Sequence, residues 1–133
     1  MSNPKRNRKH LEYRTGKPKQ LIVFSLKDFD TNQGEGFDVW QNEQLLAKLL
    51  ERLRSVSNFS IQEAQQNGIL TIYGDFPEKS KFKYPRHIPE GVKWAKISIQ
   101  GKERIAGYVN ENVFYIVFLD KDHQFWITKK KHT

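Results

Sequence analysis

The sequence predicts an α+β fold: a small, mainly antiparallel sheet with a C-terminal meander of three to four strands, packed against one long and one short helix. Three observations predict it. Residues 94–127 fall into four stretches, WAKISIQ, GKERIAGYV, NENVFYIVFL and DKDHQFWI, with frequent apolar/polar alternation and polar turns between them. Residues 45–56 carry apolar side chains at helical spacing. With 133 residues, 37% hydrophobic and 13% aromatic, the chain can build one core rich in rings.

Residues 1–19 are polar and basic, are broken by Pro4, Gly16 and Pro18, and read as a flexible arm. Leu21–Phe24 is a short apolar run, expected as a first strand, and the polar stretch Asp28–Gly36 as a loop. The long helix follows. Leu45, Leu46, Leu49, Leu50, Leu53 and Val56 form its apolar stripe, Lys48, Glu51, Arg52 and Arg54 cover the other side, and Asn42 is the expected N-cap. Ser60 and Glu63 fit a capping box opening a short second helix, which Asn67-Gly68 would stop. Ile69–Tyr73 is a candidate strand. Residues 74–91, holding Gly74, Pro77, Pro85, Pro89 and Gly91, form a connection of a length often tied to function. The meander then turns at Asn110–Asn112 and Asp120–Asp122. The chain thus divides into an arm at 1–19, one domain at 20–128 and a basic tail at 129–133, with the order β-α-α-β-loop-β-β-β.

Composition narrows the function. No cysteine is present, so disulfides and thiolate metal sites are excluded and a reducing compartment is expected. No apolar run is long enough to span a membrane, and the basic N-terminal stretch lacks the apolar segment of a signal peptide, so a cytoplasmic protein is expected. The net charge of +8 is unevenly placed. Residues 1–20 hold seven Lys/Arg and one Glu, Lys129–Lys131 add three more, and residues 21–128 balance thirteen Lys/Arg against fourteen Asp/Glu. Such basic ends suit salt-dependent contact with phosphates, or simply solvation of a tail.

Two sets of residues can carry chemistry. In Lys79-Ser-Lys-Phe-Lys-Tyr-Pro-Arg-His87, an extended backbone sends Lys79, Lys81 and Lys83 to one side and Phe82 and Tyr84 to the other. These cations, with Arg86, can hold phosphates while rings stack on bases; the alternative is a solvated loop anchored by its aromatics. In the meander, pairing of 103–109 with 112–119 puts Arg104 at the hairpin end near His123, with Lys102 close by. Two cations and an imidazole suit phosphodiester cleavage by a ribose 2′-hydroxyl, which needs a base, an acid and charge stabilisation. The alternative is that Lys102 and Arg104 decorate a solvated face and His123 is a turn residue. His10, His87, His123 and His132 have no ligand spacing, and no phosphate-cradling glycine loop is present, so neither a metal nor a cofactor is expected.

Gly101-Lys-Glu-Arg-Ile105, Gly107-Tyr108, Asn112–Asp120 and His123-Gln-Phe-Trp126 resemble the last strands of a widespread, largely uncharacterised group of small bacterial proteins. More distantly, the element order and this ending are similar to the RelE/ParE superfamily of toxin–antitoxin toxins, whose members cleave mRNA on the ribosome or act on gyrase. The resemblance covers residues 94–127 and, loosely, the helix at 43–57. It implies a RelE-like fold, RNA or the ribosome as target, metal-independent endoribonuclease activity of the mRNA-interferase type, and an antitoxin partner. By position, Arg104 matches the arginine that stabilises the transition state and Lys102 a phosphate-binding lysine. His123 and Trp126 fall where such toxins keep a His and a Tyr, and Trp126 cannot supply the phenolic proton. A non-enzymatic reading stands beside this one: a protein-interaction or nucleic-acid-binding module of a phage, mobile element or defence system.

Overall fold

The computed structural model describes residues 19–127. The arm expected at 1–19 lies outside them apart from Lys19, which pairs with Glu63 at 2.9 Å; the tail at 129–133 lies outside them too. The protein is α+β. Eight elements follow one another: β1 (Val23–Ser25), α1 (Phe37–Asn42), α2 (Leu46–Val56), α3 (Ile61–Gln66), β2 (Leu70–Gly74), β3 (Lys93–Gln100), β4 (Glu103–Asn110) and β5 (Val113–Asp120). The five strands form one mixed sheet in the order β1-β5-β4-β3-β2. Strands β2 to β5 are antiparallel neighbours, while β1 pairs with β5 in parallel, Val23 beside Val113.

The meander forms because its strands alternate. In β3, Ala95, Ile97 and Ile99 go to the inner face, under the helices, and Trp94 goes to the outer face. β4 does the same with Ile105 and Val109 inward and Ala106 and Tyr108 outward. β5 is apolar on both faces, as a strand covered on both sides must be, and Phe114 to Asp120 are buried except Tyr115. A bulge between Ala106 and Gly107 shifts the β4–β5 register by one residue. The extra residue is Val117 of β5, and Gly107 stands across from the bulge because nothing larger fits: a Cβ there would lie 1.8 Å from the Tyr115 carbonyl oxygen.

The helices cover the inner face. Leu49 and Val56 of α2 are buried, Leu46 and Leu53 pack at their flanks, and Leu50 points out, 58% exposed. Ser60 accepts from the Glu63 amide and Glu63 from the Ser60 amide, completing the capping box of α3.

Four expectations are corrected. A further helix, α1, precedes the long one; it is six residues long, has no side-chain cap, and is seated by the fully buried Trp40. Asn42 ends α1 rather than capping α2, whose N-cap is Leu45, because Gln44 takes a left-handed turn (φ 61°) between the two. The first strand begins at Val23, since Leu21 and Ile22 bond instead to the segment after α2, Ile22 N–H donating to the Phe59 carbonyl at 2.9 Å. The stretch 120–127 is no fourth meander strand. It folds back over the outer face as turns, held by Asp120 and by a left-handed His123 (φ 60°).

The outer face has no helix. The connection 75–92 and the segment 121–127 cover it instead, and the Lys81 N–H donates to the Gln124 carbonyl at 3.0 Å to join them. Phe82 and Phe125 are the anchors: Phe82 stacks on Phe118 with centroids 4.4 Å apart, and Phe125 meets the edge of Phe76. Among the described residues no helix is long and apolar enough to cross a membrane.

Candidate functional site

Strand register sets the site on the outer face. Ser98, Arg104 and Asp120 form one cross-strand row, and Lys96 sits in the next row inward, opposite Ala106. Lys96 and Arg104 are therefore diagonal neighbours on one face, within reach of long side chains. Tyr73 from β2 and His123, Phe125 and Trp126 from the covering segment complete a small depression with Lys96, Arg104 and Asp120. These side chains pack so closely that no water fits between them.

Two carboxylates fix the turn that carries His123. Asp120, 1% exposed, accepts from the Gln124 N–H at 2.8 Å and the Phe125 N–H at 2.8 Å. Glu35 accepts from the Lys121 N–H and from the Trp40 indole, both at 2.8 Å. Burial pushes both carboxyls above their ordinary range, against the pull of these hydrogen bonds. Although Arg104 faces Asp120 in register, no ion pair joins them, because Asp120 is turned to its own amides. The Arg104 guanidinium donates instead to the Gly101 and Glu103 carbonyls, and its Nε is buried without an acceptor.

The titrating groups reflect this crowding of positive charge. His123 is held below its ordinary value by burial and then by Arg104, with Asp120 pulling the other way and Lys96 adding to the depression. Its imidazole is therefore neutral at pH 7 and able to accept a proton. Lys96, whose Nζ donates to Ser98 Oγ at 3.1 Å, is lowered by burial and by Arg104. The Tyr73 phenol is pushed up to about 12, chiefly by burial, so it stays protonated. Tyr73 lies flat against Trp126, ring centroids 4.1 Å apart and planes 5° apart.

Of the residues expected to act, Arg104, His123 and Trp126 line one depression. Lys102 does not: it lies in the turn between β3 and β4, its side chain 65% exposed and 3.5 Å from Asp122. Lys96 occupies the position beside Arg104 instead. Sequence reasoning missed Lys96, Tyr73 and Asp120. A signal for Lys96 existed, since Lys96 and Ser98 break one face of an otherwise buried strand. The loop cations Lys79, Lys81, Lys83 and Arg86 are all exposed. Phe82 is a buried anchor, and Gln33 grips Lys83 through both backbone groups at 2.7 Å. Only Lys79 approaches the site, lining a cavity beside Trp126.

A wider cleft, about 700 Å³, lies at the opposite end of β4, against Lys27, Glu90, Lys93, Tyr108, Glu111 and Tyr115. Its charges are of both signs, and it contains none of the expected residues. The depression at Arg104 is the better candidate, because perturbed titratable groups converge there. Among the described residues no three His, Asp or Glu side chains gather as metal ligands. Comparison of the chain with protein-family models, with curated proteins and with solved structures finds no match.

Proposed function

We propose that the outer face of the sheet binds RNA or the ribosome in the cytoplasm and that the protein is a toxin-type endoribonuclease similar to the RelE/ParE superfamily. One observation carries the reading. Lys96, Arg104 and His123 crowd around one depression with no ion-paired carboxylate among the described residues, and Arg104 Nε has no acceptor. Such a cluster is complemented by an anion. The order strand, helices, then a meander followed by a turn that carries His123 and Trp126 also supports it.

In this reading Arg104 and Lys96 hold the scissile phosphate and stabilise the charge that grows on it. Neutral His123 takes the proton of the ribose 2′-hydroxyl as its oxygen bonds to phosphorus. The bond from phosphorus to the 5′-oxygen breaks, and that oxygen takes a proton from the Lys96 ammonium, made more acidic by burial and then by Arg104. Tyr73 is too weak an acid for the task and serves as a hydrogen-bond donor.

The test is controlled induction in a bacterial host with mapping of mRNA 5′ ends. Growth arrest with new cleavage sites is expected, abolished by Arg104→Ala and His123→Ala. A second reading, binding without cleavage, is favoured by the closed packing of the depression. It predicts arrest, or a co-purifying protein partner such as an antitoxin, with no new 5′ ends and no effect of His123→Ala. Full cleavage by both variants sinks the assignment of the site.

A further inference from the structure

Next to the depression, on the far side of Trp126, is an open cavity of about 470 Å³ lined by Asp75, Phe76, Glu78, Lys79, Trp126 and Ile127. That volume is within the usual range for small-molecule sites, about 300–1,000 Å³. Trp126 lines both spaces. It is stacked on Tyr73, and the indole is 37% exposed. A planar ring entering the cavity meets an indole that its stack on Tyr73 already holds in place, at little conformational cost to the protein.

We propose that this cavity is a nucleobase subsite and that it selects guanine. The proposal rests on the RNA-binding reading above and deepens it. Trp126 is the platform. The phosphate next to the stacked base reaches Arg104 and Lys96, because the two spaces share the indole as a wall. Lys79, at the rim, meets a neighbouring phosphate. Selectivity comes from Asp75 and Glu78, both exposed at the cavity. Carboxylates only accept hydrogen bonds. Guanine presents two donors side by side, N1–H and the N2 amino group, which suit a bidentate carboxylate. Adenine offers an acceptor at N1, and uracil a single imino donor between two carbonyls that carboxylates repel. Two acidic residues are otherwise a liability on a surface that binds phosphates, and base reading gives them a role.

The protein reports on this cavity by itself. Of its three tryptophans, Trp40 and Trp94 are buried and Trp126 is exposed, so a base stacking on the protein quenches Trp126 selectively. The probes are 2′-O-methyl pentanucleotides, which cannot be cleaved: UUGUU, UUAUU, UUCUU and UUUUU, each measured by tryptophan fluorescence and by anisotropy of a labelled oligonucleotide. The expected result is binding of UUGUU about tenfold tighter than UUUUU. In the full chain carrying Asp75→Asn and Glu78→Gln, that preference disappears while UUUUU still binds. Trp126→Ala weakens all four about tenfold, and Trp126→Phe restores part of the loss. Equal binding of all four, unchanged in the double variant, overturns guanine selection and leaves RNA binding standing. A preference for another base also overturns it. Anisotropy showing that none of the four binds overturns both the subsite and the RNA reading.

Discussion

On the inner face of the sheet, regular elements cover aliphatic side chains: Leu70, Ile97, Ile105, Ile116 and Leu119 lie in one cluster with Leu49 and Val56 of α2. On the outer face, irregular backbone covers rings and charges. Trp94, Phe118 and Phe125 are joined by Lys96, Arg104 and Asp120, and the lid is two stretches of loop. Among the described residues, the two buried side-chain polar atoms without partners, Trp94 Nε1 and Arg104 Nε, are both on this outer side. Helices satisfy their own backbone and can be laid over an apolar sheet at no polar cost. Loops cannot, so their carboxylates and amides must be bonded one by one, as Asp120 and Glu35 do for the turn at His123. Polar side chains that would be penalised under a helix are thereby admitted next to the sheet. Both faces are packed, and the polar groups that could do chemistry gather on the outer one.

The sharpest way to break this division is to strike what both faces share. Gly107→Ala drives a methyl into the β5 backbone, at 1.8 Å from the Tyr115 oxygen. It is expected to cost about 3 kcal/mol or more, seen as loss of the cooperative unfolding transition. Next come paired truncations. Ile105→Ala, inner and fully buried, is expected to cost about 2–5 kcal/mol and to lower amide protection throughout the sheet. Phe125→Ala, outer and 1% exposed, removes as much contact, about 3–5 kcal/mol. Its hydrogen-exchange signature should be concentrated in 75–92 and 121–127, leaving α2 protected; equal loss in α2 would contradict independent faces. Ser60→Ala, which opens the capping box of α3 at the inner side, should lower stability by about 1 kcal/mol in urea titration without altering the fluorescence of Trp126.

The smallest effect is electrostatic and confined to the outer face. Arg104→Ala removes a cation that holds down His123, so the imidazole should titrate nearer its ordinary value of 6.5 in an NMR pH series, with the unfolding midpoint barely changed. The sign for stability follows from linkage. The folded pKa of His123 lies below 6.5, so as pH falls past 6.5 the unfolded chain binds the proton first and the fold weakens, down to the folded pKa. His123→Ala should remove this decline. Glu35 and Asp120, raised by burial, act oppositely: the penalty of holding their charges is relieved as pH falls through their raised values.

What the sequence disclosed follows the same division. The strands of the meander were legible because alternation is a local property, and α3 because its capping box is four adjacent residues. α1 was not, since six residues without a capping side chain leave almost no periodicity, and Trp40 is the one residue of the helix that is fully buried. Phe125-Trp126-Ile127 looks like the end of a strand, yet Asp120 bends the chain by accepting two amides a few residues on. No composition rule reveals that. In the site, Arg104 and His123 were readable from type and order, whereas Lys96 required the register of β3 against β4.

The parallel pair formed by β1 and β5 has a further consequence, in time rather than in space. Val23 can take its place beside Val113 only after the helices and strands between them in the chain have been made. Until then Leu21 and Ile22 have the segment after α2 to hold them, and Val23–Ser25 have nothing. Long-range pairing of this kind forms slowly, after local contacts. The pairing of β1 with β5 is therefore expected to form late, after the antiparallel neighbours β3, β4 and β5 have joined.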